Sequence, residues 1–172
     1  MKKVLIALLL AALLVATVGC ANNDQTPEGM QNVALESAKY YLYVPENWVP
    51  SSYNVSGARA TPEENGPNVI ATVHYPDGVV TAESYWSDYC VPEYTATLTS
   101  FALLEESTAT LGGKDAKNYV FSYTFGDTVY QCRQVIAVFD FNVYVLTYTA
   151  VSTDYGTYTA DVDSIVSNFT FK

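Results

Sequence analysis

Residues 118–150, NYVFSYTFGDTVYQCRQVIAVFDFNVYVLTYTA, decide the fold. Three apolar runs are separated by two short turns, one at Gly126-Asp127 and one around Phe141-Asn142. Side chains alternate along a strand, so Tyr119, Phe121, Tyr123 and Phe125 share one face of the first run and Val120, Ser122 and Thr124 the other. Gly126-Asp127 suits a two-residue hairpin turn with glycine first. In the return run Tyr130, Cys132, Gln134, Ile136 and Val138 share a face, opposite Gln131, Arg133, Val135, Ala137 and Phe139. Asp140 to Asn142 turns the chain again, and residues 143–150 complete a meander. Apolar residues on both faces predict a central sheet covered on both sides.

The flanking segments supply the cover. Residues 152–168 read as the best helix, with Ser152 or Thr153 as cap and Asp154 suited to the positive helix start. Tyr155, Tyr158, Val162, Ile165 and Val166 form its apolar stripe. Asp161 and Asp163 fall outside that stripe and read as a solvated face rather than a metal site. Residues 169–172 (FTFK) add an edge strand. Upstream, residues 101–111 read as a strand, or a strand with a bulge, ended by Gly112-Gly113. Residues 81–100 read as helical from Thr81 as N-cap, with Tyr85, Trp86, Tyr89 and Cys90 toward the sheet. Pro92 predicts a break or kink, giving one helix to about Asp88 and a further turn or two to about Leu98. Residues 68–75 read as a strand, 61–67 as a loop and 53–58 as a weak strand. Trp48 lies between two prolines and reads as a cap on the core. Residues 37–45 form a strand that Pro45 ends. The order is strands, helix, four strands, helix. That predicts an α+β fold, a central antiparallel sheet covered by helices.

Composition agrees. About half of the 172 residues are hydrophobic and 15 are tyrosine; tyrosine, threonine and valine favour a pleated, half-buried surface. The formal charge is −10, and without Lys2 and Lys3 the chain carries 6 basic and 18 acidic residues, a net −12. A phosphate backbone would be repelled, which argues against nucleic acid as a partner, and an anionic membrane surface would repel the body of the protein.

The N-terminus sets the compartment. MKKVLIALLLAALLVATVGC has two lysines, an apolar run too short to span a bilayer, and a small residue, Gly19, suited to cleavage. TVGC followed by ANND resembles a bacterial lipoprotein signal, in which the cysteine is lipidated on its thiol and becomes the new N-terminus. That residue here is Cys20. Thr17 departs from the pattern, where leucine is usual. The resemblance implies a signal peptide over residues 1–19, a lipidated Cys20 with a short polar tether over 20–37, a domain over 38–172, and a cell-membrane location facing the extracytoplasmic side.

No GxSxG, HExxH, P-loop, GxGxxG or EF-hand pattern is present. His74 is the one histidine, with no second histidine, cysteine or acid at ligand spacing, and reads as a residue without chemistry. Glu105 and Glu106 are strand neighbours pointing to opposite faces and cannot easily share a proton. No catalytic residue, metal ligand or cofactor is therefore assigned. Cys90 and Cys132 form an even pair in an oxidising exterior, and a bond between them would tie the helix to the central strand; two buried thiols are the alternative. Asn54-Val55-Ser56 and Asn168-Phe169-Thr170 match glycosylation sequons, which a bacterial export signal makes incidental.

YYLYVPENW (40–48), LGGKDAKNYVF (111–121), and YVLTYTA (144–150) followed by a final helix and SNFTF (167–171) resemble the PsbP-like superfamily. It includes the PsbP subunit of photosystem II, the Ran-binding Mog protein and many bacterial lipoproteins. The resemblance covers about residues 38–172. It implies an α/β/α sandwich around an antiparallel sheet, and action by binding a partner rather than by catalysis. The expectation is a membrane-anchored, non-catalytic binding or accessory module whose envelope partner or ligand the sequence does not name. The alternatives are a solute-binding lipoprotein for a glycan or peptide, and a cell-envelope hydrolase using His74 or Cys90.

Overall fold

The computed structural model describes residues 26–51, 57–64 and 66–172. Three short strands come first: β1 (Met30–Asn32), β2 (Tyr40–Tyr41) and β3 (Tyr43–Pro45). The main sheet uses β4 (Val49–Pro50), β5 (Gly57–Thr61), β6 (Asn68–His74), β7 (Thr99–Leu111), β8 (Lys114–Phe125), β9 (Thr128–Phe139) and β10 (Asn142–Val151). It is antiparallel throughout, in the order β4-β5-β6-β10-β9-β8-β7. The expected meander is its centre, with Phe121 opposite Cys132 and Cys132 opposite Thr149.

A helical segment covers one face. Thr81 opens it as predicted: its hydroxyl accepts from the Ser84 amide at 3.0 Å, and Ser84 Oγ accepts from the Thr81 amide at 2.9 Å. The irregularity expected at Pro92 takes the form of a π turn, and the helical segment does not break. The chain runs through α1 (Ala82–Tyr85), a π turn (Trp86–Cys90) and α2 (Val91–Thr97), with the Val91 amide donating to the Trp86 carbonyl. Pro92 has no N–H, and in a tight helix its ring would press on the Asp88 carbonyl. Widening the preceding turn relieves that conflict without breaking the helix. The turn lays Trp86 on Tyr119, with ring centres 4.1 Å apart and planes 6° from parallel.

The other face is covered by β2, β3 and the C-terminal helix. Here Leu42, Val44, Trp48, Val162 and Ile165 are buried against Val69, Ala71, Val135, Leu146 and Tyr148. Trp48 is a core cap, and its indole N–H donates to Asp161 at 3.2 Å. The C-terminal helix starts later than the sequence suggested. Neither Ser152 nor Thr153 caps it: the Ser152 amide donates to the Val129 carbonyl at 2.9 Å, and a 3-10 turn (Tyr155–Tyr158) precedes α3 (Thr159–Asn168). Gly156 within that turn weakens the helical start. Val162, Ile165 and Val166 are buried as the stripe required. Asp163 lies on the exposed side as expected, and there it pairs with Arg133 of β9.

Two edges of the chain differ from expectation. β11 (Thr170–Phe171) pairs with β2 in a separate small sheet, not with the main sheet. The fold also begins before residue 38. β1 pairs with β3, Met30 is buried, and Gln31 Nε2 donates to the carbonyls of Glu46 at 3.0 Å and Trp48 at 2.6 Å. Side-chain amide bonds hold this strand, so it leaves little apolar signal in the sequence. At the outer edge, β7 is interrupted by two register shifts, between Thr99 and Ala102 and between Leu103 and Glu105, with Ser100 at φ 56°.

Candidate functional site

The β9–β10 turn pairs Phe139 with Asn142 and leaves Asp140 and Phe141 as its two central residues. Both have positive φ, 49° and 60°. A turn of this kind is normally built from asparagine, aspartate and glycine, and a bulky side chain there costs about 1–2 kcal/mol. The Phe141 ring offsets none of that cost by burial, for it is 81% exposed. Strain of this kind collects at functional positions.

The surrounding loops make the same end of the sheet apolar. Tyr75 follows β6 and Val79 lies in the loop to α1; they are 73% and 92% exposed. Phe141, Val79, Val80 and Val138 line a cavity of about 320 Å³ on the side of α1. A second cavity of about 260 Å³ opens on the side of β2, walled by Leu35, Lys39, Tyr40, Gly57 and Tyr75. The Tyr40 hydroxyl fixes that wall, donating to the Ala71 carbonyl at 2.9 Å and accepting from the Ala58 amide at 3.1 Å. Gly57 is required beside it, because a Cβ there would lie 2.2 Å from the Ala71 carbonyl oxygen.

Charge at this end is mixed. Lys39, Lys114 and Lys172 stand with Glu36, Asp77, Asp115 and Asp140, on a chain of net charge −10. Lys114 lies over the Phe139 ring at 4.9 Å and Lys172 over Tyr41 at 4.5 Å; among the described residues none of the three lysines forms an ion pair. An apolar centre with a mixed polar rim is the anatomy of a protein-binding surface. At the opposite end a cavity of about 290 Å³ is bordered by Glu63, Glu64 and Asp154, and Phe125 is exposed. Among the described residues no group of three or more His, Cys, Asp or Glu side chains is placed to hold a metal ion.

His74 lies on the exposed end of β6, 2.9 Å through Nε2 from the Thr72 hydroxyl and 5.6 Å between ring centres from Tyr85. Partial burial lowers its pKa against the opposing influence of Glu93. It lines none of the three cavities described. The union of His74 with an acid in a cleft that the hydrolase alternative required is therefore not seen there. Cys90 and Cys132 are both free and buried, so the disulfide weighed from the sequence is not formed. Each thiol has its own neighbour in the aromatic layer, Tyr94 for Cys90 and Thr149 for Cys132 at 3.3 Å. Burial pushes both thiols up to about 11, which makes them poor nucleophiles. Cys20 and Asn54 lie outside the described residues. Glu105 and Glu106 stay apart, the first accepting from Ser107 and the second pairing with Lys117.

The same arrangement occurs in solved structures. The solution structure of cyanobacterial PsbP (CyanoP) from Synechocystis sp. PCC 6803 matches with a TM-score of 0.62 at 12% identity, over 90% of this chain and 98% of that one. The fold is PsbP-like. LpqN of Mycobacterium tuberculosis, described as involved in cell envelope biogenesis, shares this PsbP-like arrangement with a TM-score of 0.59 at 20% identity, over 83% of this chain and 91% of LpqN. PA94 of Pseudomonas aeruginosa, a protein of unknown function, matches with a TM-score of 0.55 at 17% identity, over 78% and 92% of the two chains. No family model matches the sequence, and no curated protein sequence does. Among the described residues no helix is long and apolar enough to cross a membrane.

The PsbP-like sheet, its helical covers and the turn at Asp140 to Asn142 were legible in the sequence, but the strain and exposure at that turn were not. The signal available was an aromatic directly after Asp140, between two long apolar runs with no glycine to turn them.

Proposed function

We propose that this protein is a non-catalytic, lipid-anchored accessory module on the extracytoplasmic side of the membrane, docking an envelope protein through the loop end centred on Phe141. The observation that carries the reading is Phe141 itself, strained and exposed in the middle of an apolar end with a mixed charged rim. The envelope role printed for LpqN supports the compartment. The chain path supports the orientation. The described chain enters at the far end of the sheet, where the Glu46 amide donates to the Gly29 carbonyl. Six residues from Cys20 to Thr26 reach about 20 Å at most. A twelve-residue strand is about 40 Å long. A lipid on Cys20 would hold the acidic end near the membrane and present Phe141 outward.

Two measurements test the two halves. Cys20→Ser is expected to move the protein from the membrane fraction to the soluble fraction; continued membrane retention would refute the anchor. A photo-crosslinking amino acid at position 141 is expected to give a discrete protein adduct in intact envelopes, absent when the same probe replaces Phe125. Phe141→Gly is expected to abolish partner binding while raising stability by about 1 kcal/mol, because glycine accepts the positive φ that phenylalanine does not. Equal adducts at both ends, or none, would sink the docking surface.

A further inference from the structure

The loop end carries a knob and a hole side by side. The knob is Phe141, exposed at the tip of the β9–β10 turn and preceded by Asp140. The hole is the β2-side cavity of about 260 Å³, with Leu35, Ala38, Tyr40, Val73 and Tyr75 in its wall. β10 pairs with β6, which sets Tyr144 opposite Val73 and Val143 opposite His74. Phe141 and Tyr75 therefore leave the sheet together, from strands about 5 Å apart. An apolar cavity of about 150 Å³ already admits a benzene ring. The hole is thus large enough for a phenylalanine side chain.

Each feature has a charge beside it, and the two charges are opposite. Lys39 is the one charged residue in the wall of the hole. Asp140 stands next to the knob in the turn. Both are exposed, and among the described residues neither forms an ion pair. Two copies of a chain of net charge −10 repel each other over most of their surfaces. The loop end holds Lys39, Lys114 and Lys172, three of the 8 basic residues, so approach there is least opposed.

We propose that the protein docked at the loop end is a second copy of this chain, in a two-fold pair. Phe141 of each copy fills the hole of the other, and Asp140 of each meets Lys39 of the other. This rests on the docking surface proposed above and names its occupant. A two-fold contact is self-complementary, and an axis between a knob and a neighbouring hole closes both contacts at once. An aromatic ring sunk in an apolar pocket is the kind of anchor that carries an interface, and the charge pairs at its rim fix the register. Two such anchors make a small interface, so the pair forms and parts with concentration. With both copies anchored in one membrane through their far ends, the axis stands along the membrane normal and the two sheets lean together. Confinement to that plane raises the effective concentration of one copy at another.

Two differently tagged full-length copies, each with azidophenylalanine at position 141, are produced together and irradiated in intact envelopes. The expected adduct has twice the mass of the chain, carries both tags, and maps to residues 35–40 or to Tyr75 of the second copy. Asp140→Lys alone and Lys39→Asp alone should each lower its yield about tenfold, because like charges then face each other. Producing the two single variants together should restore it, since every knob then meets a hole of opposite charge. Near-ultraviolet circular dichroism confirms that each variant is folded. A position-141 adduct of any other mass would overturn the second copy as occupant and leave the docking surface standing. Adduct formation at neither end, or equally at Phe125, would remove both. A double-mass adduct that maps outside the hole, or that the charge reversals leave unchanged, would overturn the proposed pair.

Discussion

Trp86→Ala is expected to cost about 3–5 kcal/mol, the range for removing a large buried aromatic. Trp86 is 4% exposed and is the point at which the helical layer grips the sheet. It stacks on Tyr119 and meets Tyr94, Phe101 and Phe121 with ring centres 5.7–6.5 Å away. Each such aromatic pair adds about 0.5–1.5 kcal/mol beyond the area it buries. The cavity left by alanine cannot collapse easily, because the π turn fixes the backbone on one side and the meander fixes it on the other. In a chain of this size a loss of 3 kcal/mol lowers the melting temperature by about 6–12 °C. Equilibrium urea denaturation should show a lower midpoint with an unchanged slope. A loss below about 1 kcal/mol would mean that α1 and α2 are held mainly by something other than Trp86.

The second large effect is on alkaline stability. In an unfolded chain the thiols of Cys90 and Cys132 ionise near their ordinary pKa of about 9, whereas burial holds both up to about 11 in the folded protein. Between those values the folded state keeps protons that the unfolded state has released, so stability falls as pH rises. The contribution is fully present below about pH 9 and lost by about pH 11. A difference of this size corresponds to about 2–3 kcal/mol per thiol. Tyr85, Tyr119 and Tyr148, pushed up to about 12 by burial, extend the loss further. Urea midpoints at pH 8 and pH 10.5 should differ accordingly, and Cys132→Ala should flatten the dependence. A flat profile in the parent protein would show that the thiols are more hydrated than their burial implies.

How much could be read beforehand followed the physics of each element. The meander was legible because strand alternation and covered faces both demand apolar residues in a simple pattern. Thr81 was legible because a capping hydroxyl is a local requirement. α3 kept its stripe but not its start, since Gly156 and the pairing of the Ser152 amide with Val129 outweighed the local cap signal. β1 was missed because Gln31 ties it down through hydrogen bonds to carbonyls fourteen to seventeen residues away. The candidate sites were the least legible. Phe141 matters through a backbone angle, which no local residue pattern marks.

The bulged outer edge of β7 has a consequence for the behaviour of many copies together. A straight thirteen-residue edge would present a regular ladder of open amides and carbonyls to its neighbours. Here the register shifts after Thr99 and Leu103 break the ladder into short lengths, and Glu105 and Glu106 follow directly. Exposed Leu103 and Leu104 would otherwise make this edge adhesive. Kinks and carboxylates on an unpaired strand keep it from templating another chain. Crowded copies can thus sit side by side without zipping into a shared sheet.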